Sequence, residues 1–178
     1  MKILTLLRHA KSGWDDPVAR DFDRPLNQRG RRAAVTVGRA LRDEGMQFDA
    51  VIASSAVRVV ETLRDVAEGY GRALEPSHRS DLYLASPAVL LERIQRTADG
   101  VDRLLVVGHN PGLEQLATLL SGSDRSGRLA QLQDKYPTAA VAVIEFSVDR
   151  WADVNKGGGV LVRFIRPRDL DPELGPDD

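Results

Sequence analysis

Three short stretches of the 178-residue chain carry the side chains best suited to chemistry. Arg8-His9 follows an apolar run at 2–7, Ser54-Ser55 and then Arg58 follow a run at 49–53, and Gly108-His109-Asn110-Pro111-Gly112 follows a run at 103–107. Together they supply two imidazoles and two guanidiniums, a set that suits a phosphoryl group. Arginine forks match phosphate oxygens through paired hydrogen bonds. A neutral imidazole can itself act as the nucleophile of covalent catalysis. Nearby guanidinium charge lowers the imidazole pKa by like-charge repulsion and keeps the lone pair available near neutrality.

Other chemistries are poorly supplied. The chain has no cysteine, which excludes thiolate nucleophiles, disulfides and Cys-ligated zinc. Three histidines (His9, His78 and His109) are too few for a His-rich metal centre, so no metal and no cofactor are expected. His78, in the polar stretch EPSHRS, reads as an exposed histidine rather than a ligand. No P-loop, GxGxxG or HExxH pattern occurs.

The elements that position these residues follow from hydrophobic patterning. Apolar runs bounded by breakers predict strands at 2–7, 49–53, 103–107, 139–147 and 160–166. Helical periodicity predicts helices at 27–45, 56–70, 87–98 and 112–121, the first two stopping at Gly45 and at Gly69 or Gly71. Asn110 reads as an N-cap with Pro111 at the first helical position, and Ser55 as the cap that puts Arg58 in a first turn. Strands alternating with helices point to a three-layer α/β/α sandwich with a mainly parallel sheet, the last two strands pairing antiparallel. Ligands of such sheets gather at the carboxyl ends of the strands. All three reactive stretches are strand exits, so they should meet at one edge.

Composition sets the wider frame. Hydrophobic residues at 42% and charged residues at 29% are those of a soluble globular chain, with 1–168 expected as one domain. The segment 169–178 (DLDPELGPDD) holds five acidic and no basic residues and reads as a solvated, flexible tail. Without it the body has 21 acidic against 25 basic residues, a net charge of about +4. That excess suits an anionic ligand and is too weak to imply nucleic acid. No apolar run is long enough for a signal peptide or membrane span, so a cytoplasmic protein is expected. Oligomeric state is left open.

Four segments in order, RHAKSGWD (8–15), DRPLNQRGRRAA (23–34), SSAVRVVETL (54–63) and GHNPGLEQLA (108–117), resemble the histidine phosphatase superfamily, also called phosphoglycerate mutase-like. The short length, RHAKS and KYPTAA (135–140) are most similar to its SixA-type phosphohistidine phosphatases. The roughly forty residues between Arg64 and Arg103 leave little room for the lid of longer members. The resemblance implies a metal-independent phosphatase in which His9 is phosphorylated and Arg8, Arg58 and His109 complete the phosphate pocket. It also implies substrate contacts from Ser12 and Asn110. Its general acid would lie between the second and third strands, where Asp81 is the nearest candidate and Glu61 and Glu92 fit less well.

Alternatives stay open for several of these residues. Asp81 also reads as a turn residue, and Arg58 as a helix-surface partner of Glu61. Trp14 lines the pocket mouth or packs, while the outer arginines of the set Arg24, Arg29, Arg31 and Arg32 read as a solvated helix face. Asp15, where mutase-like members carry asparagine, would repel phosphate unless it turned away or paired with Arg24 or Lys11. The implied substrate is a phosphorylated protein carrying phosphohistidine. A small sugar or nucleotide-derived phosphate, or a phosphate-sensing module with little turnover, are the alternatives.

Overall fold

The computed structural model describes residues 1–14 and 20–176. It has seven strands, β1 (Lys2–Arg8), β2 (Ala50–Ser54), β3 (Pro76–Arg79), β4 (Arg103–Gly108), β5 (Ser121–Asp124), β6 (Val141–Phe146) and β7 (Gly159–Ile165). Six helices join them: α1 (Gln28–Asp43), α2 (Val57–Tyr70), α3 (Pro87–Gln95), α4 (Gly112–Leu120), α5 (Leu129–Asp134) and α6 (Pro167–Leu170). The strands form one sheet in the order β3-β2-β4-β1-β6-β7-β5. β1 runs parallel to β4, and β2 runs parallel to both β4 and β3. β6 is antiparallel to β1 and β7, while β5 returns parallel to β7. The mainly parallel α/β fold read from the patterning is therefore the fold observed.

Each face of the sheet buries its own apolar cluster, as strands buried on both faces require. Ala34, Val37 and Leu41 of α1 and Val59, Leu63 and Val66 of α2 pack on Leu7, Ala53 and Leu105. Leu90 and Ile94 of α3, Leu113 and Leu116 of α4 and Leu132 of α5 cover Leu4, Leu6 and Leu104 on the other face. α1 and α2 touch backbone to backbone. A Cβ on Gly38 would lie 2.1 Å from the Val66 carbonyl oxygen, and one on Gly69 would lie 2.0 Å from that of Val35.

The expected elements recur with boundaries moved by a few residues. Asn27 caps α1 by accepting from the Gly30 amide at 2.8 Å, and Gly71, at φ +79°, closes α2. Two sites of capping differ from expectation. Ser54, not Ser55, receives the Ala56 amide at the start of α2, at 3.2 Å. α4 begins at Gly112 with Pro111 at its cap, while Asn110 Oδ1 accepts from the Glu114 amide at 3.2 Å.

The acidic end also differs from the solvated tail expected of it. Leu174 is buried against the α1 face. Arg29 donates to the carbonyls of Leu174 at 2.7 Å and Pro176 at 3.0 Å, and Arg32 pairs with Asp171 and Glu173. The acidic run and the basic first turns of α1 are each other's partners across 139 positions, a distance local composition does not register. Among the described residues no helix is long and apolar enough to cross a membrane.

Candidate active site

Strand register brings the two reactive histidines together. Arg8 of β1 lies opposite Gly108 of β4, so the next residue on each strand is a histidine. The His9 amide donates to the Gly108 carbonyl at 3.1 Å, and the two imidazole centroids stand 5.2 Å apart. β2 ends beside β4, which adds Ser54 and, in the first turn of α2, Arg58. A cavity of about 490 Å³ opens to solvent here, lined by Arg8, His9, Lys11, Ser12, Trp14, Asp21, Arg24, Arg58, Leu84, His109, Asn110 and Thr138.

Buried polar contacts hold this edge in shape. Thr62, one helical turn beyond Arg58, donates to the Arg58 carbonyl at 2.6 Å and accepts from the Ala10 amide at 2.9 Å, tying the loop after β1 to α2. The Tyr136 carbonyl receives Arg8 Nη1 at 3.0 Å and Asn110 Nδ2 at 2.9 Å, while its hydroxyl donates to the Leu6 carbonyl at 2.5 Å. This gives the KYPTAA segment a physical task, since it anchors a cation and an amide at the cavity wall. The Asn27 amide donates to the Lys11 carbonyl at 3.1 Å, and a Cβ on Gly30 would sit 2.1 Å from that oxygen. The PLNQRG segment thus backs the loop that carries Lys11 and Ser12.

A hydrogen bond fixes the tautomer of the neutral His9 imidazole. His9 Nδ1 lies 2.7 Å from the Ala10 carbonyl, which can only accept. Nδ1 therefore carries the proton and Nε2 the lone pair. Burial, then the charges of His109, Arg8 and Arg58, hold the His9 pKa well below its ordinary value against the opposing Ala10 hydrogen bond. Ser54 Oγ accepts from the Ala56 amide and shares a hydrogen bond with His109 Nε2, 2.8 Å away. His109 Nδ1 is buried and has no hydrogen-bond partner among the described residues. Burial and the Arg58 charge push the His109 pKa down to about 3.

Charge at the cavity is dominated by cations. Arg8, Lys11, Arg24 and Arg58 face the single acid Asp21 among the described lining residues. Asp21 is the organiser that the sequence reading missed. Its carbonyl receives Arg58 Nη1 at 2.7 Å, its Oδ2 receives Arg58 Nη2 at 3.1 Å and the Tyr83 hydroxyl, and its Oδ1 receives Arg24 Nε at 3.1 Å. Burial raises the Asp21 pKa, but the Tyr83 hydroxyl, Arg58 and Arg24 outweigh it and bring it to about 2. Tyr83 in turn sets its ring edge-on to His109, with centroids 5.4 Å apart. The signal that could have found Asp21 is the buried Arg58 itself, since a buried guanidinium demands an anion.

The structure brings together Arg8, His9, Ser12, Arg58, His109 and Asn110, all on the cavity wall. It does not bring Asp81 there. That carboxylate is exposed and bound by Arg79 at 3.2 Å and Arg93 at 3.0 Å, whose hydrogen bonds and charge hold its pKa below the ordinary value. Arg58 pairs with Asp21 rather than Glu61, whose Oε1 receives the Leu26 amide at 2.8 Å. Arg24 is buried and lines the cavity. Asp15 lies outside the described residues. His78 is exposed on edge strand β3. Among the described residues no group of three or more His, Asp or Glu side chains is arranged to hold a metal ion.

Two neutral, buried imidazoles among converging guanidiniums, at the carboxyl edge of a parallel α/β sheet, define a phosphoryl-handling site. Comparison with known proteins gives the family. Residues 4–83 match the family model of the histidine phosphatase superfamily, branch 1. An uncharacterized protein of Mycobacterium tuberculosis is 39% identical over 91% of this chain and 100% of its own length. Among solved structures, the provisionally named phosphohistidine phosphatase SixA of Nakamurella multipartitia is similar at 28% identity and TM-score 0.78, covering 93% of this chain and 96% of that one. The provisionally named SixA of Agrobacterium tumefaciens is similar at 27% identity and TM-score 0.76, covering 93% and 98%. The chain belongs to the histidine phosphatase superfamily, within which it is SixA-like, and it is a phosphatase.

Proposed function

We propose that the chain is a metal-independent phosphatase that removes the phosphoryl group from phosphohistidine on a protein, by way of a phosphohistidine on its own His9. The observation that carries this reading is the His9 tautomer, with Nδ1–H committed to Ala10 and the Nε2 lone pair left for phosphorus. In the first step Nε2 attacks phosphorus in line and the P–N bond of the substrate breaks. Water then attacks the phosphorus on His9, releasing inorganic phosphate and regenerating the imidazole. Arg8 and Arg58 hold the phosphoryl oxygens, and His109 Nδ1–H donates to them. Ser12 and Asn110 line the substrate position.

The leaving group supports phosphohistidine over an alkyl ester. Among the described lining residues the sole carboxyl group, Asp21, is ionised at neutral pH and holds no proton to give an alkoxide. An imidazole leaves a labile P–N bond with less need of such a donor. A small phosphate ester is the second reading, since the cavity opens to solvent and has room for one. A cysteine-free chain also suits the reducing cytoplasm, where we place it.

The test is hydrolysis of a phosphohistidine peptide and of an aryl phosphate, with chelator present, by wild type and His9→Ala. The reading expects turnover of both substrates, a higher kcat/KM for the peptide, and loss of both activities in the variant. A higher kcat/KM for small esters selects the second reading. Turnover that survives in His9→Ala overturns the nucleophile assignment, and folded wild type that turns over neither substrate would mark a phosphate-sensing module.

A further inference from the structure

The floor and the mouth of the cavity differ in chemistry. Arg58, His9 and His109 are buried at the floor, whereas Trp14 and Leu84, exposed to 72% and 54%, stand at the mouth. Large apolar side chains left in water forgo the free energy of burial. Two such residues at one charged cavity mark a place where an apolar group is received.

Trp14 is also held in place. The Arg24 guanidinium carbon lies 3.6 Å from the indole centroid, a stacking distance. Arg24 is itself buried and tied to Asp21 Oδ1 at 3.1 Å and Ser12 Oγ at 2.7 Å. One face of the indole therefore rests on a buried, hydrogen-bonded guanidinium, and the exposed remainder is a ready platform. Leu84 has φ +50°, a left-handed conformation rare for a bulky residue. A ligand matching this cavity has a dianionic end for the cationic floor and a flat apolar ring for the mouth.

We infer that Trp14, stacked on Arg24 with Leu84 at the same mouth, is the specificity residue that packs on the planar ring carrying the phosphoryl group. The site on this account selects phosphorylated aromatic rings, a protein's phosphorylated imidazole among them, over alkyl phosphates. The inference deepens the proposed function and rests on the phosphoryl group sitting at His9.

Two measurements test it. The first compares KM for phenyl phosphate and glycerol phosphate in wild type, Trp14→Ala and Trp14→Phe. A stacked aromatic pair contributes a factor of about three to ten, so Trp14→Ala should raise the aryl-to-alkyl KM ratio by that factor. Trp14→Phe should keep the wild-type ratio, and a ratio unchanged in Trp14→Ala overturns the inference. The second needs no turnover. His9→Ala protein is titrated with phenylphosphonate and with methylphosphonate by tryptophan emission and by calorimetry. The other tryptophan, Trp151, is fully buried, so a ligand-dependent change in emission reports Trp14. Phenylphosphonate should bind about three to ten times more tightly, and the preference should vanish when Trp14→Ala is added. Equal affinities overturn the stacking role even if the enzyme hydrolyses phosphohistidine. A preserved preference without hydrolysis would leave it standing while the catalytic reading fails.

Discussion

Replacing Asp21 by asparagine keeps the size of the side chain and removes the charge that holds Arg58. Two contacts to Arg58, at 2.7 Å through the carbonyl and 3.1 Å through Oδ2, define the guanidinium position, and only the second depends on the carboxylate. The Asp21 pKa of about 2, against an ordinary 3.8, corresponds to roughly 2.5 kcal/mol. The side chain is 37% exposed, so solvent screening leaves about 1–2 kcal/mol. Because the folded pKa is the lower one, this contribution is present above about pH 4 and fades as pH falls toward 2. A chain of this size should therefore melt about 2–8 °C lower in Asp21→Asn at pH 7. Deleting a preorganised donor costs about 10²–10³ in rate, and loosening Arg58 without deleting it should cost about tenfold in kcat/KM. Thermal melts and aryl phosphate hydrolysis read both effects. A folded variant with wild-type kcat/KM would refute the argument that Asp21 positions Arg58.

Both imidazoles titrate well below their ordinary range, so kcat/KM should hold as pH falls from 7 to 5; a drop centred near 6.5 would show an unshifted histidine. Their folded pKa values lie below the unfolded ones, so the unfolded chain takes up protons first and stability should fall below about pH 6.5. Urea midpoints should show a shallower slope over that window in His109→Gln. Ser54→Ala removes the hydroxyl that hydrogen-bonds His109 Nε2, and should lower kcat by about tenfold and shift the His109 nitrogen NMR signals, with Ser54→Thr restoring both. Asp81→Asn should leave kcat within twofold, since Asp81 stands outside the cavity.

The legible parts of the molecule were those written in local sequence. Strand exits at 8, 54 and 108 could be read from apolar runs, and parallel pairing then forced His9, His109 and Arg58 to one edge. The two described strands that escaped, β3 and β5, are polar tetrads at the two margins of the sheet, where one neighbour suffices and no apolar alternation is needed. Partnerships across the chain were also invisible. Nothing near Asp21 announces that it meets Arg58 37 positions later and Tyr83 62 positions later. Asp81 misled for the converse reason, since its own neighbours Arg79 and Arg93 consume it. The arginine run also split in a way composition cannot show. Arg24 went to the cavity, whereas Arg29 and Arg32 went to the C-terminal segment.

The most direct test of the account is to find where the phosphoryl group rests during turnover. Enzyme mixed with excess phosphohistidine peptide is quenched in alkali, which preserves phosphohistidine, then digested and read by mass spectrometry. The account predicts an alkali-stable, acid-labile phosphoryl group on the peptide containing His9. The same group on the peptide containing His109, with His9 unmodified, would contradict it.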